Sequence, residues 1–204
     1  MVVIVDYGMG NLASIGNMLK KAGVQALISA DIASIERAEK LILPGVGAFE
    51  HGMANMHKLG LFPLLNDRVI NRKIPILGIC LGMQLMTKKS EEGALPGFGW
   101  VDAATVRFKF GQGQNDLKIP HMGWNTVKIR KEAEFFKAII QEPRFYFVHS
   151  YHVVCANETD IWTTTFHGYE FVSAFLRDNI AGVQFHPEKS HKMGLAFLRA
   201  WAMS

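Results

Sequence analysis

Ile74-Pro75-Ile76-Leu77-Gly78-Ile79-Cys80-Leu81-Gly82-Met83-Gln84 is the stretch on which the fold turns. Its first half is short, almost wholly apolar and bounded by Pro75 and Gly78, which reads as a buried strand over Ile74–Ile79. Its second half predicts a helix over Leu81–Lys88. A strand with no polar alternation is covered on both faces, the condition of a parallel sheet between two layers of helix.

The residues before it repeat that pattern. Strands are expected at Val2–Val5, Val24–Ser29 and Lys40–Leu43, and helices at Leu12–Lys21, Phe49–His57 and Phe62–Asn71. After Glu92 the pattern changes. Gly, Pro and Trp punctuate residues 93–100, and strands with turns are expected at Val101–Lys109, Thr126–Arg130, Arg144–His149, His152–Ala156, Trp162–Thr165, Glu170–Leu176 and Ile180–Phe185. A helix over Met193–Trp201 follows, and Phe110–Leu117 reads as an exposed turn. The fold class is therefore α/β: three layers, a mostly parallel central sheet with flanking helices, and additional antiparallel strands in the second half. With 204 residues, about half of them apolar, and no repeat or low-complexity linker, residues 1–204 are expected to form one domain.

Composition excludes several classes of function. The formal charge is +4, but Lys and Arg fall in scattered pairs such as Lys20-Lys21 and Lys88-Lys89, not in the stripe that nucleic acid requires. No apolar run approaches the ~18 residues of a membrane span, and the start lacks the pattern of a signal peptide, so a cytoplasmic protein is expected. Two cysteines, Cys80 and Cys155, make no disulfide framework.

Cys80 stands between Gly78 and Gly82 where a buried strand meets a helix. Small residues two before and two after let the backbone turn tightly enough to push a side chain out of the sheet, the elbow seen with serine in G-x-S-x-G hydrolases. Amide N–H groups at a helix start favour the thiolate, which is the actual nucleophile, and the Leu81 N–H is a natural oxyanion donor. Cys155 sits in Val153-Val154-Cys155-Ala156 without such a turn and is assigned to packing.

A thiolate attacking an amide needs a proton donor for the departing amine and a base for the later water, both within reach of histidine near neutral pH. Of eight histidines, His186 is selected because Ala181–Phe185 reads as a buried strand and His186-Pro187-Glu188 lies at its end. Open parallel sheets bind ligands beyond their strand C-termini, so Cys80 and His186 can meet there. Glu188 can hold the imidazole tautomer as a third member. His149-Ser150-Tyr151-His152 with Cys155 invites a metal reading, but strand alternation sends neighbouring ligands to opposite faces, and no metal or other cofactor is expected.

Leu43-Pro44-Gly45-Val46-Gly47, GICLGMQ around Cys80, Pro120-His121-Met122-Gly123-Trp124-Asn125, Tyr146-Phe147-Val148-His149-Ser150-Tyr151 and Gln184-Phe185-His186-Pro187-Glu188-Lys189-Ser190 follow one another along the chain. In this order they resemble the class I (triad) glutamine amidotransferases, and among these the glutaminase subunits of imidazole glycerol phosphate synthase, over essentially the whole length. The resemblance implies that Cys80 forms a glutamyl thioester, His186 moves protons and Glu188 orients it. It implies a second oxyanion donor, the N–H of Val46, brought to bear by a peptide rotation that the flanking Gly45 and Gly47 make sterically cheap. It further implies that Gly45, Gly47, Gln84, Glu92, His149, Ser150 and Tyr151 bind L-glutamine, with Glu92 at its α-ammonium. A (β/α)8-barrel synthase subunit is the implied partner, receiving ammonia for histidine biosynthesis across a face that includes Gly10, Asn11, His121, Met122, Trp124, Tyr146 and Lys189.

Three other readings compete. Related glutaminases supply ammonia to barrel synthases of surface-sugar pathways, and the motifs do not separate the two. An intact triad argues against a non-catalytic subunit. Gly8-Met9-Gly10-Asn11-Leu12-Ala13 satisfies G-x-G-x-x-A after a strand, with Asp31 about 20 residues on, as in a dinucleotide-binding oxidoreductase. That reading leaves the cysteine elbow, His186-Pro187-Glu188 and the Gly45–Gly47 loop without a purpose.

Overall fold

The structure is a computed structural model that describes residues 1–111, 117–132 and 143–204. Its centre is a mixed sheet. Five parallel neighbours come first, in the order β2 (Ala26–Ser29), β1 (Val2–Val5), β3 (Lys40–Leu43), β4 (Ile76–Ile79) and β13 (Ile180–Val183). From β13 the sheet continues antiparallel through β12 (Tyr169–Arg177) and β10 (Tyr151–Cys155) to β6 (Ala103–Arg107), with short β5 (Lys89–Ser90) at the edge. β11 (Ile161–His167) pairs with β12 and with β8 (Lys128–Ile129), while β7 (His121–Thr126) and β9 (Arg144–His149) form a separate antiparallel ribbon.

Two cores explain why the parallel strands carry no polar alternation. Val3, Val5, Leu41, Leu43 and Ile76 pack on one face against Phe49, Met53 and Met56 of helix α3 (Phe49–Lys58) and Leu61 and Leu65 of helix α4 (Leu61–Asn66). Their sequence neighbours Val2, Ile4, Ile42 and Leu77 pack on the other face against Ile15 and Leu19 of helix α1 (Leu12–Lys21) and Phe197, Leu198 and Trp201 of the closing helix (His191–Met203). Side chains at i and i+1 of a strand point to opposite faces, so both must be apolar. Each large side chain buried this way contributes about 1.5–3 kcal/mol. No helix among the described residues is long and apolar enough to cross a membrane.

Several expected elements differ in extent. The helix after Cys80 ends at Leu85, not Lys88, because Thr87 turns in and its hydroxyl donates to the Gln84 carbonyl at 2.8 Å, after which the chain leaves as β5. The helix expected over Phe62–Asn71 starts at Leu61 and widens into a π turn over Asp67–Asn71. The strand expected at Thr126–Arg130 is two strands: His121–Thr126 pairs with β9, and Lys128–Ile129 pairs with β11. Helix α2 (Ile32–Glu36) and strand β7 were not expected: the first is a single short turn of helix, and the second is polar and glycine-broken until β9 pairs with it. Residues 112–116 of the Phe110–Leu117 turn lie outside the described residues.

Candidate active site

Cys80 follows the last residue of β4 and adopts φ 53°, in the left-handed region that L residues avoid. The turn closes only because its neighbours lack side chains. A Cβ on Gly82 would stand 1.8 Å from the Leu43 carbonyl oxygen, and one on Gly78 would stand 2.7 Å from the Met83 nitrogen. The elbow is therefore packed backbone to backbone, and the cysteine caps it.

β13 is the parallel neighbour of β4 with Val183 paired to Ile79, so both strands end at one level and in one direction. The Cys80 N–H donates to the Val183 carbonyl at 2.8 Å. Three residues beyond Val183 comes His186, buried, its N–H tied to the Tyr146 carbonyl at 2.9 Å. Its Nδ1 lies 2.7 Å from Glu188 Oε1, and both side chains are shielded from solvent. Burial pulls the His186 pKa down. The charge and hydrogen-bonding capacity of Cys80 and then the hydrogen bond and charge of Glu188 outweigh it, raising the pKa to about 10. These influences favour the imidazolium while Cys80 carries its charge.

A hollow of about 390 Å³ opens over Cys80. Val46, Gly47, Leu81, Gln84 and Glu92 line it together with Pro120, Val148, His149, Ser150 and Tyr151. A larger hollow, about 740 Å³, lies by α1 and the β2 edge but is lined by no Cys, Ser, Thr or His. The smaller one unites the sulfur with every residue assigned above to glutamine or to the oxyanion except Gly45, which sits just beneath. Gly45 is buried, and a Cβ there would meet the Tyr7 hydroxyl at 2.6 Å and Leu81 Cβ at 2.7 Å.

Three details modify what those residues can do. The Leu81 N–H is engaged, donating to the Gly45 carbonyl at 3.3 Å. Gln84 uses Nε2 twice, toward the Tyr151 carbonyl at 3.2 Å and Gln184 Oε1 at 3.1 Å, so both of its amide protons are taken and only Oε1 is left to meet a ligand. Glu92 accepts the N–H of Phe49, the first residue of α3, at 2.9 Å, which fixes its carboxylate at the rim.

His149 belongs to a hydrogen-bonded run whose tautomers follow from its ends. Asn125 Nδ2 must donate to His121 Nε2 at 3.1 Å, so His121 Nδ1–H donates to His149 Nε2 at 3.0 Å, and His149 Nδ1–H donates to the Tyr151 carbonyl at 2.7 Å. Burial, and then the charge of His167, lowers the His121 pKa to about 4, and burial holds His149 well below the ordinary imidazole value. Both are neutral. Among the described residues no group of three or more His, Cys, Asp or Glu is placed to hold a metal ion.

Met122 and Trp124 are exposed, and Trp124 stands edge-on to Tyr146 and stacks on His191, while Lys189 lies over the Tyr146 ring. His121, from the same expected face, points inward instead, because strand alternation in β7 sends it opposite to Met122. Gly10 and Asn11 lie at the start of α1, where the Asn11 side chain caps the helix by accepting the Ser14 N–H at 3.3 Å. The turn of Gly8 and Gly10, at φ 80° and 101°, packs against the loop of Pro44 and Gly45, and Asp31 is spent capping α2 through the Ser34 N–H at 2.8 Å. A strand-to-helix turn accounts for this glycine pattern, and the acid a dinucleotide ribose needs is already in use.

One residue at the site was missed in the sequence. Gln184, fully buried, directs Nε2 at Cys80 Sγ from 3.6 Å. It lay inside a quoted motif, and the signal available was a lone amide closing an otherwise apolar strand.

The family description "Glutamine amidotransferase class-I" matches residues 3–202. The chain is 52% identical over 198 residues to "Imidazole glycerol phosphate synthase subunit HisH 2" of Methanococcus maripaludis, covering 97% of this chain and 96% of that one. It is 48% identical to the protein of the same name from Pseudomonas aeruginosa, over 98% of this chain and 97% of that one. Among solved structures it resembles a crystal structure of a glutamine amidotransferase with a TM-score of 0.76 at 16% identity, covering 100% and 99% of the two chains. It also resembles the structure of PurLQS from Thermotoga maritima with a TM-score of 0.71 at 17% identity, covering 98% and 93%; at such identities the likeness is one of fold. With the cysteine elbow, the histidine–glutamate pair and the fold all in place, the chain belongs to the class I glutamine amidotransferase family.

Proposed function

We propose that this protein is the glutaminase subunit of an imidazole glycerol phosphate synthase, hydrolysing L-glutamine and passing the ammonia to a (β/α)8-barrel partner for histidine biosynthesis in the cytoplasm. The observation that carries the chemistry is the placement of Cys80 and His186 at the adjoining ends of β4 and β13, with Glu188 on the far side of the imidazole. Near-complete alignment with relatives bearing that name supports the pathway. Residues 1–204 are taken as one catalytic domain, a reading supported by a single sheet that draws strands from both halves of the chain.

The reaction follows from the geometry. The Cys80 thiolate attacks the side-chain amide carbon of glutamine, and the carbonyl oxygen becomes an oxyanion. The His186 imidazolium gives its proton to the nitrogen as the C–N bond breaks, leaving ammonia and a glutamyl thioester. Water, deprotonated by the now neutral His186, attacks the thioester, and the C–S bond breaks to release glutamate and the thiolate. Glu188 keeps Nδ1–H occupied so that Nε2 faces the chemistry. Glu92 offers its carboxylate to the substrate ammonium, and Gln84 Oε1 accepts a substrate donor.

The test is ammonia release from glutamine by the parent chain and by Cys80→Ala, each assayed with its co-purified partner. Loss to background with an unchanged circular dichroism spectrum is expected. Equal release by both proteins rules the assignment out.

A further inference from the structure

We propose that Gln184 is a further catalytic residue of this site, its side-chain N–H holding the Cys80 sulfur as the thiolate before attack and as the leaving group when the thioester is hydrolysed. The inference rests on the reading of Cys80 as nucleophile.

Position comes first. Val183 pairs with Ile79, so the next residue of each strand, Gln184 and Cys80, stand side by side at the end of the sheet. The Gln184 backbone is fixed by its N–H to the Ser173 carbonyl at 2.9 Å, and its side chain has no exposure to water. A buried amide must find partners inside the protein. Ile180, Ala181 and Val183 of the same strand are all apolar and buried, so packing alone gives no reason for an amide here.

Orientation comes next. The Gln84 amide donates to one end of the Gln184 side chain, which must therefore be the oxygen. The NH2 end then faces Sγ at 3.6 Å. A thiol is a weak acceptor, whereas a thiolate is a good one, so this donor favours the charged sulfur. The thiol form has a different outlet, with Sγ 3.9 Å from the Val148 carbonyl. In the thioester the sulfur is again a poor acceptor. As water adds and the C–S bond breaks, the electron pair returns to sulfur, and the Gln184 donor is already aimed at it.

The other titratable groups around the sulfur make separate contributions. His186, backed by Glu188, supplies positive charge after β13. Tyr7, at the end of β1, is held above its ordinary pKa by burial and then by the Cys80 charge, and stays neutral. His149 on β9 is neutral as well, and Glu92 lines the same hollow with the Phe49 N–H on its carboxylate. Gln184 is the neutral donor in direct contact.

The pH dependence of Cys80 alkylation by iodoacetamide, followed on the Cys80 peptide by mass spectrometry, tests this without requiring turnover. Gln184→Met keeps the shape and removes the donor; Gln184→Glu keeps the shape and adds negative charge. The alkylation midpoint is expected to rise by about one pH unit in the first and by more in the second. The thioester trapped by acid quench during turnover is expected to increase in Gln184→Met. Cys155, whose thiol burial and then Asp160 push up to about 12, alkylates slowly while the chain is folded and reports folding in the same spectra. Midpoints within about a third of a unit of the parent in a folded variant overturn the proposal. Because Cys80→Ala is assayed separately for ammonia, a failed Gln184 proposal is distinguishable from a failed glutaminase assignment.

Discussion

The carbonyl oxygen of Gly45 accepts the N–H of Leu81 at 3.3 Å. In a trans peptide the N–H of the next residue points the opposite way, so the Val46 N–H points away from Leu81 while that bond holds. Rotating the Gly45–Val46 peptide by roughly half a turn frees one donor and delivers the other. The rotation breaks one hydrogen bond, about 1 kcal/mol net. Val46 is exposed and can move with it. On the function proposed above, a subunit built this way is expected to be a weak glutaminase alone and to be stimulated when its partner selects the rotated form.

Gly47, at φ 120° and next to the rotating Gly45–Val46 unit, is expected to act as a hinge that lets the loop accommodate this rotation. Its absent Cβ would lie 2.6 Å from the flexible end of Met9, so space is negotiable but the dihedral is not. Gly47→Ala is expected to reduce the ratio of glutamine hydrolysis with partner to that without by about tenfold, from 1–2 kcal/mol of backbone strain. Steady-state ammonia assays of both forms measure it, and an unchanged ratio refutes the hinge.

Cys80 pays for its position with a left-handed backbone. Cys80→Gly relieves that strain and Cys80→Ala does not, so the glycine variant is expected to be about 1 kcal/mol more stable than the alanine variant in urea unfolding, although both are inactive. Equal stabilities place the strain elsewhere.

Glu188 raises the His186 pKa through its hydrogen bond and its charge, after the larger influences of burial and Cys80. Glu188→Gln keeps the shape and removes the charge. The imidazolium then titrates below about 10, and the alkaline limb of kcat/KM moves to lower pH, with roughly 10–100-fold lost at pH 8. A pH profile superimposable on the parent contradicts the role given to Glu188.

His121 and His149 are neutral in the fold, with pKa values below the ordinary 6.5, His121 at about 4. The unfolded chain therefore binds more protons than the native one between these values, and stability rises with pH there. Unfolding free energy is expected to be fully retained above pH 6.5 and to fall as the pH drops toward about 4, by on the order of 2 kcal/mol. His121→Asn should reduce that acid slope in urea titrations at stepped pH; a parent slope that persists unchanged in the variant excludes His121 as a source.

Local sequence determined a good deal here. Apolar runs without alternation specify strands buried on both faces, and Gly78-Ile79-Cys80-Leu81-Gly82 specifies a tight strand-to-helix turn, because both depend only on near neighbours and backbone sterics. Boundaries were less legible where a distant partner decides them. Strand β7, carrying Gly123 and polar residues, forms only because β9 pairs with it, and helix α5 (Leu81–Leu85) stops short where a buried Thr87 takes up the Gln84 carbonyl.

What only tertiary structure decided is the adjacency of β4 and β13, about a hundred residues apart, which sets Cys80 beside Gln184 and His186. No local pattern encodes that register; it is selected when the two cores are filled together. The same holds for the Leu81–Gly45 contact and the inward turn of His121, since hydrogen bonds between remote segments depend on how whole layers pack.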